Sequence, residues 1–288
     1  MRVTGGELEY NNISTDNKVI FIEDGHKYIH VDKPELKFTS VTTLLHHYAE
    51  KFDADAVAVK CCADPKSKYY GMDPVEVAEG WVQYGSDCAE AGTGLHNYGE
   101  GLFNNTPGIV APDSPKAQWA AQAVKDIFAA GYQLATTEML VYDTDLAIAG
   151  QSDIILKKKR RTSDQYDFMI YDWKFLSKPL AKKSFYSRQY GYKKMKGPFK
   201  QLMDCNWIHY SIQLAIYQTL TGDPGRVIEK VLIVVEDDKY SLIPAYPMRV
   251  FWDSNNELQC VHEMYNGRWW DSRMNTHYAK KPTDIIGI

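Results

Sequence analysis

Apolar runs separated by turn residues divide the chain into strand-like and helix-like segments. The first two runs, 19–22 and 27–31, flank Asp24-Gly25, a dipeptide that favours a tight hairpin turn. Later strand-like runs lie at 138–142, 148–156, 168–174 and 227–235. The run at 168–174 begins Phe-Met-Ile-Tyr, without a polar break, which is typical of an interior strand covered on both faces.

Helical segments are predicted before the main group of strands. We expect a helix over 43–52, with Ser40 or Thr42 as its N-cap, followed by a helical and irregular stretch over 53–92. The helix then resumes and places His96 and Glu100 four residues apart on one face. Further helices are expected at 115–130 and 208–220. Helices, a β-meander, another helix and a final strand together predict one α/β domain spanning residues 1–288.

Composition narrows the classes of function. The 288 residues are 44% hydrophobic and 24% charged, as in an ordinary soluble protein that can bury a core. The formal net charge of −4 provides no global positive field, so a polyanionic partner has to be met by a local patch. The five cysteines form no C-x-x-C pair, which supports neither a disulfide framework nor a zinc ribbon. No targeting segment or membrane span is recognisable, and a reducing cytosol is the expected setting.

Two acids and a lysine form the main chemical constellation. Asp153 lies near the start of one strand-like run, and Asp172 and Lys174 lie at the end of the next. Side chains two residues apart on a strand share a face, so Lys174 accompanies Asp172 while Trp173 points away. Close carboxylates repel unless a cation holds them, which indicates a site for Mg²⁺ or Mn²⁺. The alternative is an Asp–Lys pair on a solvated strand.

Five short motifs in a fixed order resemble a known family. They are Ser40-Val-Thr42, Gly92-Thr-Gly-Leu-His96, Gly150-x-x-Asp153, Asp172-Trp-Lys174 and Gln213-x-x-x-Tyr217. The set is similar to the PD-(D/E)XK nuclease superfamily, and specifically to its RecB-type exonuclease branch. That branch includes the mitochondrial genome maintenance exonuclease and many phage exonucleases. The resemblance covers roughly residues 40 to 217 and implies a restriction-endonuclease-like α/β core, with a mixed central β-sheet flanked by helices.

The resemblance implies a role for each matching residue. The metal ligands would be His96, Asp153, Asp172 and the carbonyl of Trp173, and the catalytic residues would be Lys174, Asp153 and Asp172. Gln213 and Tyr217 would support the site and nearby DNA, and Ser40 and Thr42 would contact the substrate. One or two Mg²⁺ or Mn²⁺ ions are expected, with no iron–sulfur cluster and no ATP. The catalytic core would span about 131–240, after an N-terminal hairpin and helical elaboration of about 1–130.

Two further acids and one basic run are open to two interpretations. Glu100 and Glu138 suit a supporting role beside the site and a solvated surface position equally well. The run from Lys157 to Arg161 is expected to be a solvated turn that caps a hairpin between two strands.

A second basic segment is the expected nucleic-acid contact. Between Lys178 and Lys200 no acid occurs, and aromatic residues alternate with the basic ones. Basic groups track phosphates and aromatic rings stack on unpaired bases, which favours a single strand over the alternative of a solvated loop. The basic residues are Lys178, Lys182, Lys183, Arg188, Lys193, Lys194, Lys196 and Lys200, of which Lys182, Lys183 and Arg188 are the chosen substrate contacts.

The function expected from these features is that of a metal-dependent deoxyribonuclease. An exonuclease acting on single-stranded or end-exposed DNA, leaving 5′-phosphates, fits the family best. By analogy it would work in the cytoplasm of a bacterial or phage-infected cell, in DNA recombination, replication or repair, with a partner protein from those processes. The alternatives are a nucleic-acid-binding protein that does not cleave and an endonuclease of restriction type.

Overall fold

The protein is a mixed α/β structure built around one central sheet. In a computed structural model of the chain, the described residues are 18–22, 25–183, 186–187, 191–221, 227–262, 269–271 and 276–278. Within them the α-helices are α1 (Val41–His46), α2 (Ala54–Ala63), α3 (Pro74–Phe103), α4 (Pro115–Ala129) and α5 (Asn206–Leu220). The strands are β1 (Val19–Ile22), β2 (Lys27–His30), β3 (Thr39–Ser40), β4 (Gln133–Asp143), β5 (Ile148–Lys159), β6 (Tyr166–Phe175), β7 (Tyr186–Ser187), β8 (Gly191–Tyr192), β9 (Val227–Val235), β10 (Tyr240–Pro244), β11 (Met248–Trp252), β12 (Leu258–His262), β13 (Trp269–Asp271) and β14 (Thr276–Tyr278).

The central sheet has six strands and mixed directions. Its order is β10-β9-β6-β5-β3, and β4 also pairs with β5. Strands β4, β5 and β6 form the expected antiparallel meander, and β9 returns through helix α5 to lie parallel to β6. The expectation of a mixed central sheet flanked by helices is therefore confirmed. None of the helices in the described part of the chain is both long and apolar enough to cross a bilayer.

Strand β6 lies in the interior of the sheet, as its apolar run predicts. Its alternate residues enter two different cores, because side chains alternate between the faces of a strand. Phe168 and Ile170 pack on the side of α1 and α5, and Met169, Tyr171 and Trp173 pack on the side of α3 and α4. By the same alternation, Asp172 and Lys174 belong to the face that α5 covers.

Two strands, β3 and β6, share one edge of β5. Strand β4 pairs with the other edge of β5 along 148–157. Strand β3 pairs with Ile148 and Ala149, while β6 pairs with β5 only from Ile154 onward. Among the described strands, none pairs with Gly150–Asp153 on this edge. The gap leaves space for polar side chains where the end of β6 separates from the start of β5, and we call it the notch.

The structure of the basic run 157–161 differs from the predicted turn. Lys157, Lys158 and Lys159 are the last residues of β5, paired with Phe168, Asp167 and Tyr166 of β6. The turn itself occupies 160–165. The prediction of a hairpin is right, but its turn begins three residues later than expected because the backbone of these lysines continues the pairing with β6.

Helix α3 is continuous, whereas the sequence indicates an irregular stretch and a restart. Asp73 caps its N-terminus and Pro74 occupies its first turn, as is usual for a helix start. Its first half packs on α2 through a small separate core of Ala58, Cys62, Val77 and Ala78. Its last turns pack on the central sheet, where Gly99 lies against the indole of Trp173.

We predict that Gly99→Ala destabilises the protein and that Gly92→Ala, in the same helix, stabilises it. A Cβ on Gly99 would lie 2.7 Å from the Trp173 ring, which is buried and stacked on Phe175, so it cannot move aside cheaply. The expected loss is about 1–3 kcal/mol of unfolding free energy. A Cβ on Gly92 would meet nothing within 4 Å, so its helix propensity should add about 0.5–1 kcal/mol.

Urea unfolding of both variants, followed by circular dichroism, measures the two free energies. Equal effects from the two alanines would show that the Gly99–Trp173 contact is not tight.

Candidate active site

The notch brings together four side chains from three elements. Asp153 comes from β5, Asp172 and Lys174 from β6, and His96 from α3. The residues are far apart in sequence, but the β5–β6 hairpin aligns Ile154 with Tyr171 and so places the two acids next to each other. This is the neighbourhood that the sequence predicted.

Asp172 and Lys174 form a buried ion pair. The distance from Lys174 Nζ to Asp172 Oδ2 is 2.5 Å, and the side chain of Lys174 is 16% exposed and that of Asp172 3%. Burial opposes the charged form of Lys174, but the charges of Asp172 and Asp153 outweigh it and hold the pKa of Lys174 above its usual value. The lysine is therefore an ammonium at neutral pH, and it is the cation closest to Asp172 among the described residues.

Asp153 is held by the backbone of β6. Its Oδ2 accepts a hydrogen bond from the Trp173 N–H at 2.9 Å, and His96 Nδ1 lies 3.5 Å from the same oxygen. The N–H and C=O of a residue in an extended strand point toward the same edge, so the Trp173 carbonyl also faces the notch. Its indole packs on the other face of the sheet. The structure thus separates the Trp173 backbone, which faces the site, from its side chain, which stabilises the core.

Burial shifts the pKa of each acid upward. Desolvation raises the pKa of Asp153, partly offset by Lys174 and by the Trp173 N–H. Desolvation, followed by the charge of Asp153, raises the pKa of Asp172 to about 6, against the attraction of Lys174. Desolvation, together with Lys174, lowers the pKa of His96 to about 4, so its imidazole is neutral at pH 7. A neutral imidazole has a free nitrogen lone pair for a metal.

The donor types suit a hard divalent cation. With both acids ionised and His96 neutral, the four side chains leave one negative charge uncompensated by Lys174. Two carboxylates, an imidazole and a backbone carbonyl are oxygen and nitrogen donors of the kind that Mg²⁺ and Mn²⁺ accept. In the described part of the chain, however, no three His, Cys, Asp or Glu side chains converge closely enough to hold a metal. The carboxylate of Asp172 is paired with the ammonium of Lys174.

Helix α5 places the Gln213–Tyr217 pair beside the notch. Gln213 Nε2 donates a hydrogen bond to Tyr217 Oη at 2.9 Å. Burial, and then the charges of Asp172 and Asp153, raise the pKa of Tyr217. Its ring also packs on Gly150, where a Cβ would lie 2.6 Å from it. Gly150 therefore keeps α5 close to the notch.

Sequence reasoning missed Tyr210. The Lys174 ammonium lies 4.6 Å from the centroid of its ring. The signal was present in the spacing, because Tyr210, Gln213 and Tyr217 are separated by three and four residues and so share one face of α5.

The two predicted residues of the Ser-Val-Thr motif lie at the start of α1. Ser40 pairs with Ala149 of β5, and its hydroxyl accepts a hydrogen bond from the Thr43 N–H at 3.0 Å as the N-cap. Thr42 is exposed on the helix. The buried Val41 between them packs on Gly150. Since β3 and β6 pair with the same edge of β5, the motif borders one end of the notch and β6 borders the other.

Glu100 of α3 contacts Thr137 of β4, and Glu138 is the next residue of that strand. The Thr137 hydroxyl donates to Glu100 Oε1 at 3.4 Å. Glu138 lies between two paired positions of β4, which places it opposite Asp153, and its φ of 50° is in the left-handed region. Such a conformation is uncommon for a non-glycine residue and marks a local irregularity beside the site.

The basic segment is less uniform than its sequence indicated. Lys178 and Lys183 are exposed, and Lys182 lies 5.9 Å from the Trp207 ring. Lys193 is not locally unopposed: it lies 3.1 Å from Asp204 and 3.5 Å from Glu50. Asp204 lies four residues beyond the end of the segment and Glu50 comes from a distant part of the chain, so a count restricted to 178–200 includes neither.

Another lysine of the segment also has a hydrogen-bond partner within the chain. Lys194 Nζ donates to the Gln201 carbonyl at 3.3 Å. Arg188, one of the predicted substrate contacts, lies outside the described residues.

Comparison of the sequence with protein-family models and with curated proteins finds no match. The function therefore has to be inferred from the geometry and chemistry of the notch.

We predict that Asp172→Asn removes a pH-dependent penalty on folding. The raised pKa of Asp172 means that the folded state binds its proton more tightly than the unfolded state does. In the metal-free protein this carboxyl therefore lowers the free energy of unfolding as pH rises from 3.8 to about 6. The lowered pKa of His96 acts with the opposite sign up to pH 6.5, so the wild-type curve alone does not separate them.

Urea unfolding in EDTA between pH 4 and pH 7 gives the measurement. The unfolding free energy of Asp172→Asn minus that of wild type should increase over this interval. Asp164→Asn, at a side chain that is 98% exposed, is the matched control and should give a constant difference. A constant difference for Asp172→Asn as well would contradict the assigned shift.

Proposed function

We propose that the protein is a metal-dependent deoxyribonuclease of the PD-(D/E)XK type, related to the RecB-type exonucleases. The observation that carries the proposal is the buried group of Asp153, Asp172 and Lys174 at the notch. A buried ion pair contributes little to stability compared with apolar packing, so a second buried acid beside it needs a chemical reason. Phosphodiester hydrolysis provides one, since it uses acidic metal ligands and a cation that holds water.

The fold supports the same proposal. An antiparallel meander of β4, β5 and β6, followed by helix α5 and the parallel strand β9, fits a restriction-endonuclease-like core. The site lies where β5 and β6 separate, and each of its acids is on a strand of this meander.

The reaction divides among the side chains of the notch. Asp153, Asp172, His96 and the Trp173 carbonyl would hold Mg²⁺ or Mn²⁺, which when bound neutralises charge on the scissile phosphate. The Lys174 ammonium donates hydrogen bonds to a water and orients it for in-line attack on phosphorus. A new P–O bond forms to that water as the bond to the 3′ oxygen breaks; the attacking water releases a proton to solvent, and the departing 3′ oxygen takes one from solvent. The product strand then carries a 5′-phosphate.

The substrate proposed is single-stranded or end-exposed DNA. Lys178 and Lys183 are exposed and follow Lys174 within nine residues, and we assign them to the strand that leaves the notch. Among the alternatives, a protein that binds without cleaving does not need the second buried acid. A restriction-type endonuclease would share the site and differ in its need for a free end.

We predict that Asp172→Asn and Lys174→Met each lower cleavage by about 10²–10³-fold, because the first removes a ligand of the metal and the second removes the ammonium that orients the attacking water. The assay is Mg²⁺- or Mn²⁺-dependent degradation of oligonucleotides labelled at the 5′ or 3′ end, as single and double strands. Lys159 and Asp164 form an exposed Asp–Lys pair at 2.8 Å on the β5–β6 hairpin. Asp164→Asn and Lys159→Met are the matched controls and should cleave normally.

Each outcome of the assay separates the candidate functions. Wild-type rates in either notch variant would refute the proposed site. Binding of the oligonucleotide by wild type without any cleavage would favour the non-cleaving protein. Cleavage of a closed circular single strand would identify an endonuclease.

We also predict that the double variant Lys178→Ala/Lys183→Ala binds single-stranded DNA with a weaker salt dependence. The log–log slope should decrease by roughly 0.7 for each lost phosphate contact. The rate at saturating DNA should not change, because these lysines hold the strand and do not touch the reacting atoms.

Fluorescence anisotropy at several salt concentrations measures the slope. Lys193→Ala is the comparison variant: its ammonium is paired with Asp204, so its loss should change the slope less. An unchanged slope in the double variant would place the binding groove elsewhere.

A further inference from the structure

The Lys174 ammonium has two partners of different kinds. Asp172 Oδ2 lies 2.5 Å from it, and the centroid of the Tyr210 ring lies 4.6 Å from it. The Lys174 side chain is largely buried, so water does not compete strongly for either contact. The ring is therefore a second partner of the ammonium within the site, in addition to Asp172.

A second cation that binds Asp172 changes which of these two partners holds the Lys174 ammonium. Two cations on one carboxylate repel each other, so a divalent ion at Asp172 displaces the Lys174 ammonium. A displaced ammonium in a buried site needs another partner, and an aromatic face is one that does not itself attract the divalent ion by charge. Tyr210 is the ring that the structure places there.

Helix α5 fixes the position of this ring. Hydrogen bonds hold residues before and after it. Trp207 Nε1 donates to the Pro244 carbonyl at 3.0 Å, and the Ser211 hydroxyl accepts from the Tyr246 N–H at 2.8 Å. Tyr210 lies between these two anchors and can keep its ring at a constant distance from β6.

We propose that Tyr210 is the positioning residue of Lys174: its ring holds the ammonium when a divalent cation occupies Asp172. The inference rests on the proposed nuclease function and adds a residue to it. Without the ring, Lys174 remains on Asp172, where it competes with the metal and is misplaced for holding water.

A double-mutant cycle on metal affinity tests this role without using activity. The four proteins are wild type, Tyr210→Leu, Lys174→Met and the combination, each titrated with Mn²⁺ alone in a calorimeter. Tyr210→Leu should weaken Mn²⁺ binding about tenfold, which at about 1.4 kcal/mol per factor of ten is within the range of a desolvated cation–π contact. In the Lys174→Met background, Tyr210→Leu should have no further effect, because no ammonium remains to be held.

A second readout uses cleavage. Tyr210→Leu should lower kcat and leave the KM for DNA unchanged, since the ring acts on Lys174 and not on the strand. Tyr210→Phe keeps the aromatic face and should restore both Mn²⁺ affinity and kcat. If circular dichroism shows that Tyr210→Leu is unfolded, Tyr210→Met takes its place in the cycle.

Tyr166→Leu is the matched control. It removes another ring that lies 5.3 Å from a lysine, Lys157, on the β5–β6 hairpin away from the notch, and should change neither Mn²⁺ affinity nor kcat.

The possible results separate this inference from the function on which it rests. Wild type that does not bind Mn²⁺ would overturn both. Wild type that binds Mn²⁺, with unchanged affinity in Tyr210→Leu, would overturn the role of Tyr210 and leave the nuclease proposal standing. If Tyr210→Leu weakens Mn²⁺ binding equally in the wild-type and Lys174→Met backgrounds, the role is also overturned, because the ring would then act by packing and not through the ammonium.

Discussion

The buried ion pair of Asp172 and Lys174 is the interaction on which the rest of the site depends. Moving two charged groups out of water costs several kcal/mol for each ion, and their attraction compensates only when the geometry is close. Both residues lie at the end of an interior strand, where the sheet holds their backbones rigidly and helix α5 covers them. The pair therefore forms at one fixed place, and a third charge, Asp153, is brought against it by the adjacent strand.

Small residues make this arrangement sterically possible. Gly150 lets Tyr217 and α5 approach the notch from one face of the sheet, and Gly99 lets α3 approach Trp173 from the other. The two glycines thus control how closely the helices enclose the strands. The site is built from both layers: α3 contributes His96, and α5 contributes Tyr210 and the Gln213–Tyr217 pair.

Local patterns predicted those parts of the structure that local physics determines. The meander follows from apolar runs separated by turns, and the neighbourhood of Asp153 and Asp172 follows from the hairpin that joins their strands. Two errors have identifiable causes. The glycines before His96 indicated a break in α3, yet the helix continues through them, since a helix tolerates glycine at a cost of only about 1 kcal/mol per residue. The basic segment was counted only as far as Lys200, which left out Asp204, and the pairing of Lys193 with Glu50 depends on a tertiary contact that no local count includes.

The strands after β9 were also not predicted. Strands β10, β11 and β12 are five residues each, and β11 packs on α5 through the hydrogen bond from Thr219 to the Val250 carbonyl. Runs this short give little periodic signal, and their stability comes from the helix that they cover. Tyr210 was missed for a related reason, because its partner Lys174 is 36 positions away and the two meet only through the β6–α5 crossover.

The long helix α3 joins the small core that it shares with α2 to the much larger packing of the central sheet. Residues 82–91 are exposed on every side, so between the small core shared with α2 and the turns that carry His96 the helix has almost no tertiary support. Helical stability in proteins comes mostly from such packing. We therefore expect the α2–α3 hairpin to open as a separate cooperative unit, with a lower opening free energy for hydrogen exchange than the central sheet. It can open and close again while the carboxylates and the lysine keep their positions.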